Sequence, residues 1–96
     1  MLRLVWSEDS IADLEAICAF IGERNFEAAA KLRATAEACA ERLAEHPFLY
    51  RVGRVLGTRE AVIHPNYILI YEVTRDMVTI RSMIHARRQY PPGDDA

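Results

Sequence analysis

The apolar positions of this 96-residue chain change their period twice. In LRLVW (2–6), Leu2, Leu4 and Trp6 alternate with Arg3 and Val5, which predicts a short opening strand. The spacing then lengthens, and Ile11, Leu14, Ile17, Cys18 and Ile21 share one helical face. Ser7 is the expected N-cap, Glu8 and Asp9 suit the positive end of the helix dipole, and Trp6 and Ile11 are spaced as a hydrophobic staple. This helix is expected to run to about Arg24. Asn25 is placed to cap a second helix, in which Ala29, Leu32, Ala36, Cys39 and Leu43 recur at steps of three and four. Alanines around that stripe allow close approach, and the short turn predicts an antiparallel helical hairpin. Pro47 ends the second helix, because it donates no backbone bond and disfavours helical geometry in His46.

Beyond Pro47 the helical period is lost. FLYRVGRVLGT (48–58) has two glycines and no clean period, and it reads as a structured loop. Three strand signals follow: REAVI (59–63), YILIYEV (67–73) and MVTIRSMIH (77–85), with Pro65-Asn66 and TRD (74–76) as connections. In the last strand, alternation puts Val78, Ile80 and Ile84 on one face and Thr79, Arg81, Met83 and His85 on the other. The order is β-α-α-β-β-β, a helical hairpin packed on a mainly antiparallel sheet, so the fold class is α+β. One domain is expected over residues 1–92, with 93–96 as a disordered tail.

Composition is that of an ordinary globular protein, with 51% hydrophobic and 27% charged residues. No stretch approaches the roughly 20 apolar residues that span a bilayer, and no membrane association is expected. The acids after Trp6 argue against a signal peptide, so a cytoplasmic location is expected. In the helical hairpin Cys18 and Cys39 fall roughly 10 Å apart along the axis, too far for a disulfide. They read as reduced core thiols.

The net charge of −2 is unevenly spread. Residues 1–50 hold nine acids and five bases, whereas 51–92 hold three acids and seven bases, a local excess of +4. Nearly all the cations are arginines, Lys31 being the only lysine. Arginine suits bidentate, shaped contacts, which favours an interface over a diffuse field. With the sequence pI near 5.9, a duplex-binding surface is not expected.

The polar residues divide into several candidate sites. His46, His64 and His85 lie 18 and 21 residues apart with no cysteine at a ligand spacing, so neither a metal nor another cofactor is expected. Gly53 and Gly57 lack the setting of a phosphate loop, and no nucleophile elbow is present. One enzymatic chemistry remains, general acid–base cleavage of RNA. Glu60 or His85 would exchange protons, with Arg59, Arg81, Arg87 and Arg88 holding phosphate. Arg59 and Glu60 point to opposite faces of a strand, whereas Arg81 and His85 are expected to share one. The simpler reading of Arg59 and Glu60 is a solvated strand end.

WSEDSIADLEAICAFIGERN leading into an alanine-rich helix, and GTREAVIHPNYILIYEVTRDMVTIRSMIHARRQYP, resemble the RelE/ParE toxins of type II toxin–antitoxin modules. The resemblance covers residues 2 to about 92 and implies the RelE/ParE-like fold. RelE-like members are ribosome-dependent mRNA endonucleases, and ParE-like members poison DNA gyrase. In the nuclease pattern an arginine near the start of the third strand holds phosphate, and here that position is Ile68. Lysines common around the second strand are also missing. The retained Arg87, together with Tyr90, keeps the nuclease alternative open, in which Glu60, Arg81, His85 and Arg87 would act.

Charge and Ile68 favour the ParE-like reading, a binding toxin rather than an enzyme. Arg59, Arg81, His85, Arg87, Arg88 and Tyr90 would then contact the target or antitoxin. The resemblance further implies a cognate ParD-like antitoxin that folds over the toxin and supplies any contact with operator DNA. DNA gyrase is the expected target, with the ribosome as the alternative.

Overall fold

A computed structural model describes residues 1–87. Arg88, Tyr90 and the tail expected at 93–96 lie outside the described residues. The chain forms β1 (Arg3–Trp6), α1 (Glu8–Gly22), α2 (Phe26–Glu45), β2 (Arg51–Val52), β3 (Arg59–His64), β4 (Tyr67–Val73) and β5 (Met77–His85). The five strands make one sheet in the order β1-β5-β4-β3-β2. Among the described residues three neighbouring pairs are antiparallel, and β1 runs parallel to β5. Both helices cover the same face of the sheet, so the α+β expectation holds. The segment read as a loop contains one element more, the two-residue β2. So short a strand is below the length at which any period shows.

Both helix starts form as their sequences indicate. Ser7 accepts the Ser10 N–H at 3.1 Å, and Asn25 accepts the Ala28 N–H at 2.9 Å. Leu14 and Cys18 of α1 and Leu32, Ala36, Cys39 and Leu43 of α2 enter one core with Leu69, Tyr71, Val78, Ile80 and Met83 of the sheet. Ile11, expected on the buried stripe, is instead 44% exposed. The cysteines are free and buried, and Cys18 Sγ lies 3.7 Å from the Ala29 carbonyl of the facing helix. At the base of the hairpin Tyr71 Oη donates to the Pro47 carbonyl at 2.9 Å. Burial pushes that phenol up to about 12. Among the described residues no helix is long and apolar enough to cross a membrane.

The last strand departs from simple alternation. Tyr71 of β4 pairs with Ile80, but Ile70 pairs with Ser82, leaving Arg81 as the extra residue of a bulge. The phase therefore reverses at Arg81. Met83 joins Val78 and Ile80 in the core beneath the helices, and Ile84 joins Ile68 and Ile70 on the other side. The expected grouping of Met83 with Thr79, and of Ile84 with Ile80, is thus corrected. The bulge sits where β1 stops and the chain turns into α1. Ser7 donates its N–H to the Ile80 carbonyl at 2.9 Å and its hydroxyl to the Arg81 carbonyl at 3.1 Å. Asp13, nearly two helical turns on, accepts the Met83 N–H at 3.0 Å. These contacts satisfy the edge of β5 that β1 no longer covers.

Candidate functional site

The two faces of the sheet carry different chemistry, and the bulge divides the candidate residues between them. Cross-strand partners point to the same side. Glu60 pairs with Ile70 and with Arg51, so all three lie on the face away from the helices. Arg59 pairs with Tyr71 and lies on the helix side. Arg81 is 3.9 Å from Glu72, whose strand partner is Thr79, and so it belongs to the outer face. His85 pairs with Tyr67 and belongs to the helix side. Arg81 and His85 consequently do not share a face, and the expectation that they would is corrected.

On the outer face Glu60 is only 2% exposed and is held by two arginines. Arg51 Nη2 donates to Oε1 at 2.9 Å, and Arg54 donates from Nε and from its backbone N–H to Oε2 at 2.9 and 3.0 Å. Arg54 Nη2 reaches Oε1 at 3.2 Å. Burial alone would raise the carboxyl, but the hydrogen bonds from Arg54 and Arg51 outweigh it and bring it from 4.5 down to about 2. A carboxylate so stabilised as its anion is a poor proton acceptor at neutral pH. Nor is it a solvated strand end: both Glu60 and Arg59 are structurally engaged. Arg59 donates to the Tyr50 carbonyl at 2.8 Å and lies 4.8 Å from the centre of the Phe48 ring.

The Glu60 cluster forms one wall of a groove of about 650 Å³, with Ile68, Val62 and Ala86 supplying apolar surface. Ile68, 4% exposed, lines the same groove.

On the helix side His85 edges against Tyr67, ring centres 5.3 Å apart, and His64 lies tilted on Tyr67 at 5.6 Å. His85 Nδ1 accepts the Arg87 N–H at 3.1 Å, and His64 Nδ1 accepts the Asn66 N–H at 3.0 Å. His85, Tyr67, Asp13, Ile17, Phe20 and Met83 surround a pocket of about 350 Å³ that is largely apolar. Phe20, 63% exposed, forms its outer lip. Sequence reasoning missed Asp13 and Phe20. The signal for Asp13 was an acid beside the buried stripe of α1, which periodicity assigns to solvent. Among the described residues no group of three or more His, Cys, Asp or Glu side chains is arranged to hold a metal.

The family described as the ParE toxin of type II toxin–antitoxin system, parDE, matches residues 4–90. The chain is 36% identical over 90 residues to Y4kP of Sinorhizobium fredii, covering 93% of each chain. It is 34% identical over 88 residues to Toxin RelE2 of Caulobacter vibrioides, covering 92% of this chain and 99% of that one. Among solved structures, the chromosomal ParDE toxin–antitoxin system of P. aeruginosa contains a chain that superposes with a TM-score of 0.78. Identity there is 20%, over 88% of this chain and 96% of the other. YafQ of E. coli superposes with a TM-score of 0.62 at 15% identity, over 90% and 94% of the two chains. At such identities the superpositions show the shared fold.

Proposed function

The chain belongs to the ParE toxin family of type II toxin–antitoxin systems, and on that premise we propose that it is a ParE-like growth inhibitor acting on DNA gyrase. A cognate ParD-like antitoxin would hold it inactive and would provide the contact with operator DNA. The toxin domain is taken to fill residues 1–92 and to act in the cytoplasm.

One observation carries the choice of a binding toxin over a nuclease. In the outer groove Arg51 and Arg54 are bound to Glu60, and Ile68 stands in place of a cation. Cleavage of RNA needs positive charge directed at the scissile phosphate. Here much of that charge is spent inside the protein on a buried carboxylate. Gyrase supercoiling in the presence of the purified chain tests the reading. Inhibition, or an increase in gyrase-linked DNA breaks, is expected, and no effect at stoichiometric excess would overturn it.

A RelE-like mRNA interferase is the second reading, favoured by Arg81, which is half exposed on the outer face and only loosely paired with Glu72. Cleavage of mRNA in a translating extract, abolished by Arg87→Ala, would support it. Intact mRNA alongside arrested growth would remove it.

A further inference from the structure

A second concavity, of about 400 Å³, lies between α2 and the turn joining β3 to β4. Lys31 and Thr35 reach it from successive turns of α2, and His64, Asn66 and Tyr67 reach it from the turn. Leu32 gives it an apolar base. Each of the five polar side chains can donate a hydrogen bond, and no acid lines the pocket. His64 accepts through Nδ1, so its Nε2 carries the proton and is left for a ligand. Among the described residues, Lys31, Thr35, Asn66 and Tyr67 make no side-chain hydrogen bond with one another or with the rest of the fold.

We propose that this pocket receives a carboxylate side chain of the antitoxin, which rests on the reading of the chain as an antitoxin-bound toxin. The donor set and the absence of acids complement a single negative charge. Lys31, the one Lys or Arg of the lining, balances the single charge of a carboxylate, whereas a phosphate group brings about two. An apolar base suits the methylene stem of an aspartate or glutamate. The position also fits a peptide partner. Tyr67 is a wall both of this pocket and of the apolar pocket lined by Phe20, Ile17 and Met83. A segment that seats an apolar anchor beside Phe20 reaches the Lys31 pocket across Tyr67 with a neighbouring acid.

The test compares Lys31→Glu with Arg75→Glu in titrations of the full-length toxin against the protein encoded by the adjacent gene. Both variants change net charge equally, and Arg75 lies exposed in the β4–β5 turn, outside the pocket. Lys31→Glu is expected to raise Kd by about tenfold or more, and Arg75→Glu by roughly twofold or less. Lys31→Ala is expected to fall between them. Thermal melts confirm that each variant folds, since all the substituted side chains are exposed. Equal weakening by the two reversals, or no weakening by Lys31→Glu, overturns the pocket while leaving the toxin reading intact. Failure of the wild-type chain to bind that protein overturns both.

Discussion

Arg81 and His85 leave the same strand on opposite faces of the sheet. One faces Glu72 on the open side and the other packs against Tyr67 beneath the helices. The cause is the bulge, which puts Arg81 and Ser82 together opposite the step from Tyr71 to Ile70. A basic cluster compact in sequence is thereby divided between two surfaces. Substitutions at Arg81 and His85 should therefore separate in phenotype.

Deleting Arg81 tests the bulge directly. Removal of the unpaired residue leaves Ile80, Ser82 and Met83 in regular alternation, with Ile80 and Met83 still facing the core. The deletion variant is expected to fold with a loss of about 1 kcal/mol, a fall in Tm of roughly 4–8 °C. An unfolded product in circular dichroism would show that the bulge is required and not merely accommodated.

The Glu60 cluster predicts a specific acid response. Its folded carboxyl titrates near 2, below the ordinary value of 4.5. A depressed pKa contributes stability that is fully present above the unfolded value and is lost as pH falls from 4.5 through 2. Its arginine partners are 58% and 41% exposed. Water screens the ion pairs accordingly, and the contribution is about 1–2 kcal/mol. Urea melts at pH 7 and pH 3 should show Glu60→Gln destabilised at neutral pH, with the gap from wild type narrowing as pH falls. A constant gap would dissociate the effect from charge.

Gly53 marks a close approach and not a flexible joint. A Cβ there would collide with Thr58 Oγ1 and meet the Thr58 backbone at 3.1 Å, across the bond from the Gly53 N–H to the Thr58 carbonyl. Gly53→Ala is expected to cost about 1–3 kcal/mol and to loosen the hairpin that carries Arg51 and Arg54. Faster amide exchange at Gly53 and Arg54 would be the local sign, and an unchanged melt would count against this packing.

Both thiols should be silent in the native protein. Burial pushes the Cys39 thiol up, and Tyr50 Oη lies 3.9 Å from its sulfur. Reaction with an aromatic disulfide reagent at pH 8 is expected to be slow until denaturant is added, when two thiols per chain should titrate. Rapid labelling without denaturant would place a cysteine at the surface.

Much of the fold was legible because its signals are local. Ser7 and Asn25 announced the helix starts, and the stripe from Ala29 to Leu43 announced the buried face of α2. The division of Arg59 and Glu60 between faces followed from strand geometry alone. The bulge was not legible, since one extra residue within MVTIRSMIH leaves no mark in composition and only contact with β4 and α1 reveals it. The burial of Glu60 was hidden for a related reason. Its partners come from β2 and the following turn, where the chain is too short between glycines to display a period. Asp13 acts through a hydrogen bond to a strand 70 residues away, a relationship no sequence window contains.

The parallel pairing of β1 with β5 bears on how the protein is made. Strand β1 waits for β5, which lies between it and β4 and supplies Val78, Ile80 and Met83 to the core. Contacts this distant in sequence close late and slowly. A nascent chain lacking β5 has neither a continuous sheet nor a complete core beneath its helices. Termination before β5 therefore yields no partial version of the fold, and any activity that depends on the fold is withheld until β5 has been made.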